Sequence, residues 1–259
     1  MILSLTSIIF LCILFFVIAV LYGSVGFGGG SSYLAILALL AVSFFTMRSL
    51  ALVCNIIVVV GSTYWFIKKG HFKIADFFPF VITSVPMAFA GASFKLEEQV
   101  FFVILGGVLI IAAIFLIWQA KNYSGFEREV TKKYPAFIHY ILGAGIGFVS
   151  GMVGIGGGIF LAPILYYLKW GTSVKIAALS SFFILVNSIS GLGGLFYSQT
   201  FNAPVSMLIA LGLAVLTGGQ VGVRLSFKKL SPSGMKVITA VLVFIIGVRV
   251  LLVNALNIL

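Results

Sequence analysis

Negative charge is the scarcest feature of this sequence. Five Asp and Glu residues occur among 259, and charged residues of both signs make up only 8% of the chain. Soluble domains carry roughly 25%, so a soluble globule or a disordered chain is excluded. Cysteine is nearly missing too: Cys12 and Cys54 each sit in an apolar run, which supplies no disulfide framework and no metal set. His71 and His139 are the only histidines, and neither has Cys, Asp or Glu at metal-ligand spacing. Apolar–polar alternation, the mark of a closed β-barrel, is absent as well.

What is present is apolar. The hydrophobic set makes up 62% of the residues, and the mean hydropathy is +1.26. These values describe an all-α polytopic membrane protein with 8–10 membrane segments. The 29 glycines fit, because close backbone approach drives helix association in lipid. A formal charge of +11 would suggest nucleic acid for a soluble protein. Here it serves to orient the chain, and nucleic acid is not a partner.

Hydropathy breaks predict ten helical segments, near 2–25, 28–45, 49–67, 75–94, 98–119, 136–153, 156–168, 176–198, 204–223 and 237–257. No Lys or Arg precedes Arg48, so the first segment lacks the basic n-region of a signal peptide and is expected to be retained. A polar stretch from Lys121 to Pro135 carries Glu127, Arg128, Glu129, Lys132 and Lys133. It divides the chain into a first membrane repeat, 1–120, a cytoplasmic linker, 121–135, and a second membrane repeat, 136–259.

A shift of 128 positions lays Gly23, Gly26, Gly28, Gly29 and Gly30 over Gly151, Gly154, Gly156, Gly157 and Gly158, and eight of the fifteen residues from 23 to 37 are identical. Duplication explains this better than composition. The loops at 68–73, 120–135, 169–175 and 224–236 fall on one side and hold 13 of the 16 Lys and Arg residues. The positive-inside rule makes that side cytoplasmic, with both termini extracytoplasmic in a multi-pass protein of the plasma (cell inner) membrane. Five segments per half is an odd number, so the halves enter from opposite faces as an inverted repeat, a recurrent transporter architecture.

Each half runs into Gly-x-Gly-Gly-Gly. Glycine costs about 1 kcal/mol relative to alanine inside a helix, so a triple glycine breaks it. The stretch after 156–158 ends near Leu168, and thirteen residues at 1.5 Å reach only about 20 Å, less than the roughly 30 Å hydrocarbon core. A half-helix results. Its N-terminus offers free N–H groups and a partial positive charge, which suit an anion. Two inverted repeats bring two such ends, at 28–32 and 156–160, toward one point near the midplane. Substrate-binding candidates are therefore Gly28, Gly29, Gly30, Ser31 and Ser32 in the first half, and Gly156, Gly157, Gly158 and Ile159 in the second. Tight helix packing is the competing account of the glycines. Asp76, Glu97, Glu98, Glu127 and Glu129 all map to loops or segment ends, so no carboxylate stands mid-membrane for proton or cation relay. A small anion is favoured over a cation.

The motif Gly154-Ile-Gly-Gly-Gly-Ile-Phe-Leu-Ala-Pro163, its partner near residue 26 and the chain length resemble the sulfite exporter (TauE/SafE, TSUP) family over nearly the whole chain. The resemblance implies export of small sulfur-containing or organic anions such as sulfite, sulfonates or sulfoacetate. Two departures suggest an asymmetric site: Ala35 where the second half has Pro163, and Ser31-Ser32 where it has Ile159-Phe160.

Further candidates are Asn55, Ser180, Ser181 and Asn187, which either line the pathway or hydrogen-bond between helices. Cys54 reads as an inert buried thiol, and His139 as an interfacial residue. Arg48 and Lys175 take roughly equivalent places before the third segment of each half, at opposite mouths, where they draw in anions or simply snorkel. Arg249 reads as snorkelling, Pro86 as a kink, and Lys228 and Lys229 as cytoplasmic retention charges. No catalytic group, metal site or cofactor is expected. The leading function is a secondary transporter of a small anion, with the lipid bilayer as its other partner and homo-oligomerisation left open. A passive anion channel, a membrane enzyme and a non-transporting accessory subunit are the alternatives.

Overall fold

The computed structural model describes residues 5–40, 42–122, 132, 134–225 and 232–255. Arg128, Lys133, Lys228, Lys229, Glu127 and Glu129 lie outside the described residues, as does most of the linker. Among the described residues ten α-helices follow one another: α1 (Leu5–Val25), α2 (Gly30–Leu39), α3 (Phe44–Lys68), α4 (Ile74–Ser93), α5 (Glu98–Asn122), α6 (Ala136–Val153), α7 (Gly158–Tyr167), α8 (Ser173–Tyr197), α9 (Val205–Leu225) and α10 (Pro232–Arg249), the last continued by a π-helical turn, Val250–Ala255. Seven of them, α1, α3, α4, α5, α6, α8 and α9, contain stretches long and apolar enough to cross a membrane. The protein is an all-α polytopic membrane protein.

The second segment is shorter than the sequence suggested. Instead of 28–45, α2 stops at Leu39 and α3 begins at Phe44. Hydropathy cannot see this break, because the residues on either side of it are apolar. Ser43 Oγ and Thr46 Oγ1, 2.9 Å apart, pair at the start of α3. In the other half Thr172 accepts from Lys175 N at 3.3 Å and caps α8. The two short helices therefore match at ten residues each, about 15 Å at the usual rise.

Packing partners cross between the halves. α1 lies along α9 as α6 lies along α4, α3 meets α8, and α5 meets α10. Glycine makes the closest of these contacts. On α6, Gly143, Gly147 and Gly151 press one turn apart on the carbonyls of Phe80, Ser84 and Ala88; on α9, Gly218 and Gly222 press on those of Phe16 and Val20. A methyl group at any of these positions would meet backbone.

Two faces are distinguishable. On one, Asp76 Oδ2 and Lys175 Nζ form an ion pair at 2.6 Å, Lys132 N donates to Lys169 O at 3.0 Å, and Tyr134 OH donates to Leu168 O at 2.9 Å. This gathers the basic loops. On the opposite face Asn202 N donates to Ser49 Oγ at 3.0 Å. Asp76 and Lys175 are partly exposed, and such pairs are worth about 1 kcal/mol or less. Lys175→Met is accordingly expected to leave the thermal unfolding midpoint nearly unchanged.

Candidate functional site

The two glycine loops fold alike, except that Gly156 takes a left-handed φ and its counterpart Gly28 does not. Gly26 and Gly29 in the first half, and Gly154, Gly156 and Gly157 in the second, have φ between 80° and 89°, the left-handed region that suits glycine. Gly29 and Gly157 are the N-cap residues of α2 and α7. The first N–H groups of a helix have no intrahelical acceptor, so each loop presents a set of free donors at its half-helix start.

Asn55 on α3 joins the two loops. Its Nδ2 donates to Ile155 O at 2.9 Å. The same side chain lies against Gly28, where a Cβ would sit 2.5 Å from Oδ1, and against Gly30. A Cβ on Gly30 would also lie 2.8 Å from Ile155 O, so the α2 N-terminus touches the loop leading into α7. On the other side Ile184 of α8 packs against Gly156 and Gly158 as Asn55 does against Gly28 and Gly30. One amide and one sec-butyl group thus occupy equivalent places between the loops.

Polar atoms at this junction, and on α8 next to it in sequence, are buried without hydrogen-bond partners among the described residues. They are Asn55 Oδ1, Ser180 Oγ, Ser188 Oγ, both side-chain heteroatoms of Asn187, and Tyr33 OH. Ser188 Oγ would be 2.9 Å from a Cβ on Gly156, and Tyr33 OH 2.9 Å from one on Gly29. Unpaired polar groups inside a bilayer are tolerated where they line a water-filled or ligand-binding space.

The remaining candidates have protein neighbours of their own. Tyr22 OH pairs with Ser31 Oγ at 3.3 Å and with Ser32 Oγ at 2.8 Å. Thr63 Oγ1 donates to Ser181 Oγ at 3.3 Å. Gly157 abuts Phe183, and Ile159 is buried. Among the described residues, no three His, Cys, Asp or Glu side chains cluster to hold a metal.

From the basic-loop face a cavity of about 290 Å³ runs down to Gly26; Lys69, His71, Trp65 and Ser62 also line it. On the opposite side of the junction the structure corrects the expectation for Arg48. Far from snorkelling at a mouth, Arg48 is fully buried. Its Nη2 donates to Ala92 O at 3.1 Å and to Gly151 O at 3.2 Å, while Nε and Nη1 have no partner among the described residues. Nor is Lys175 its equivalent. Lys175 pairs with Asp76 and lies 4.5 Å from the Trp170 ring centre, and Trp170 Nε1 donates to His139 Nε2 at 3.1 Å.

The family model of the sulfite exporter TauE/SafE matches residues 11–250. The chain belongs to the TauE/SafE family. A probable membrane transporter protein of Sinorhizobium fredii is 37% identical over 246 residues, covering 95% of this chain and 99% of its own. A second from Methanocaldococcus jannaschii is 26% identical, over 57% of this chain and 56% of its own. A third from Haemophilus influenzae is 28% identical, over 60% and 59%. No solved structure matches significantly. This TauE/SafE protein is thus a multi-pass membrane transporter.

Sequence reasoning missed three residues of the TauE/SafE junction, Ile184, Ser188 and Tyr33, and singled out Arg48 without its burial. Ser180, Ile184 and Ser188 recur every fourth position, so they share one helix face; that spacing was a usable signal for Ser188. The burial of Arg48 gave no comparable signal, because it depends on α4 and α6.

Proposed function

We propose that this TauE/SafE protein is a secondary transporter of a small anion, sulfite or an organosulfur anion, bound where the two half-helix N-termini meet at Asn55. The observation that carries the reading is this junction. Two sets of helix-start donors converge on a buried group of polar atoms that lack partners among the described residues, in a chain nearly free of acidic residues. Each terminus contributes about 0.3–2 kcal/mol toward an anion, so the pair gives weak, reversible binding. Gly28 to Ser32, Gly156 to Ile159, Asn55, Ser180, Ser181 and Asn187 form the site, joined by Ser188. The basic-loop face is cytoplasmic by the positive-inside rule, and the halves at 1–120 and 136–259 are inverted repeats that rock around the site.

The test is flux of sulfite, sulfoacetate, thiosulfate, sulfate and chloride through the purified protein in liposomes. Saturable flux of a sulfur anion is expected. Non-saturating flux would make the protein a channel, and no flux of any anion from folded protein would favour an accessory subunit. Leucine at Gly29 or Gly157 is a poor probe here, since their φ of 89° and 82° strains any side chain. Ser188→Ala avoids that strain, and is expected to lower flux severalfold while leaving thermal stability within about 1 kcal/mol, because its hydroxyl has no partner to lose among the described residues.

A further inference from the structure

The two halves differ most beside their glycine loops, at Arg48. Contacts align α3 with α8 at an offset of 129 positions. Asn55 then matches Ile184, and Ala177, 3.5 Å from a Cβ on Gly26, matches Arg48, whose Cα is 3.4 Å from a Cβ on Gly154. α4 aligns with α9 at an offset of 131, since Gly91 presses on Phe148 O as Gly222 presses on Val20 O. Gly23, Gly26 and Val223 line the open cavity on the basic-loop face. Their counterparts are Gly151, Gly154 and Ala92, and these are what Arg48 touches. The Arg48 side chain therefore fills the space that stays open on the other face, where Ala177 is too small to fill it. The mouths agree. Lys69 and His71 are exposed, whereas their counterparts Ser198 and Thr200 are buried and pair at 2.7 Å.

We propose that Arg48 is the plug of the translocation pathway on the face opposite the basic loops, and that it leaves the carbonyls of Ala92 and Gly151 when that face opens. The proposal rests on the transporter reading for the pathway it closes. A guanidinium held by a carboxylate would be locked; this one is held by two carbonyls and keeps Nε and Nη1 unpaired. An arriving oxyanion offers it the bidentate partner that the closed face lacks, which provides a reason for the plug to move.

The test is labelling by a charged thiol reagent of the full-length protein in detergent, with Cys12 and Cys54 replaced by alanine. Reporter cysteines go at matched positions: Ser62→Cys in the open cavity, and Gly191→Cys, whose added atom meets only the flexible Leu52 side chain. With Arg48 intact, Ser62→Cys is expected to label about tenfold faster or more, as for a minor open state populated at 10% or less. Arg48→Ala is expected to erase that difference, and Arg48→Met, which refills the space without charge, to retain most of it. Equal rates for the two reporters with Arg48 present would overturn the proposal, even if Arg48→Ala failed to fold. So would a folded Arg48→Ala variant in which Gly191→Cys stays protected. Labelling needs no substrate, so absence of anion flux would overturn the anion-transport reading while leaving the plug measurable.

Discussion

Gly151→Val is expected to abolish recovery of folded protein, while Gly145→Val on the same helix is expected to be tolerated. A Cβ on Gly151 would run into the carbonyl of Ala88, which belongs to the α4 backbone, whereas nothing lies within 4 Å of one on Gly145. Overpacking against side chains costs about 1–3 kcal/mol, and here the obstacle is backbone that cannot rotate away. Gly147 and Gly143 hold the same interface one and two turns earlier, so no nearby slack absorbs the shift. In lipid, such an interface has no hydrophobic effect to fall back on; close van der Waals approach is what holds it. Size-exclusion profile and thermal unfolding in detergent measure the effect. A monodisperse Gly151→Val protein with an unchanged midpoint would show that α4 and α6 do not pack this closely.

Asn55→Ala is expected to reduce anion flux about tenfold or more in protein that still purifies as a folded species. The amide makes one hydrogen bond, to Ile155 O, and its loss leaves a carbonyl unpaired at the loop junction, a cost of about 1–3 kcal/mol. That cost loosens the hold of α3 on the second loop, and the unpartnered Oδ1 and its neighbours lose their arrangement around the half-helix starts. Because Ile184 stands at the equivalent place in the other half, Ile184→Val, which keeps an apolar side chain, is expected to change flux far less. Liposome flux measured beside thermal unfolding separates the two effects. Wild-type flux in Asn55→Ala would remove Asn55 from the site.

Much of this protein was legible in one dimension. The shortage of charge and the long apolar runs determined a bundle of membrane helices, because the bilayer admits so few ways of satisfying a backbone. The repeated Gly-x-Gly-Gly-Gly determined where two helices break, since three glycines in succession remove helix propensity wherever they occur. The position of the second break was also readable, at 156–158, but the end of α2 was not: Leu39 to Phe44 is apolar throughout except for Ser43, and hydropathy averages across such a gap.

Tertiary structure alone decided what meets the broken ends. Asn55 and Asn187 look alike in the sequence, each an amide in the third segment of its half. Only the fold puts Asn55 between the two loops, because helices from one half pack mainly against helices from the other and set the rotation of α3. The same exchange of partners buries Arg48 under α4 and α6, where residue spacing predicts an interfacial cation. Helix identity follows from local energetics that a sequence carries residue by residue; which face of each helix turns inward follows from contacts between residues about a hundred positions apart, and those exist only once the chain has packed.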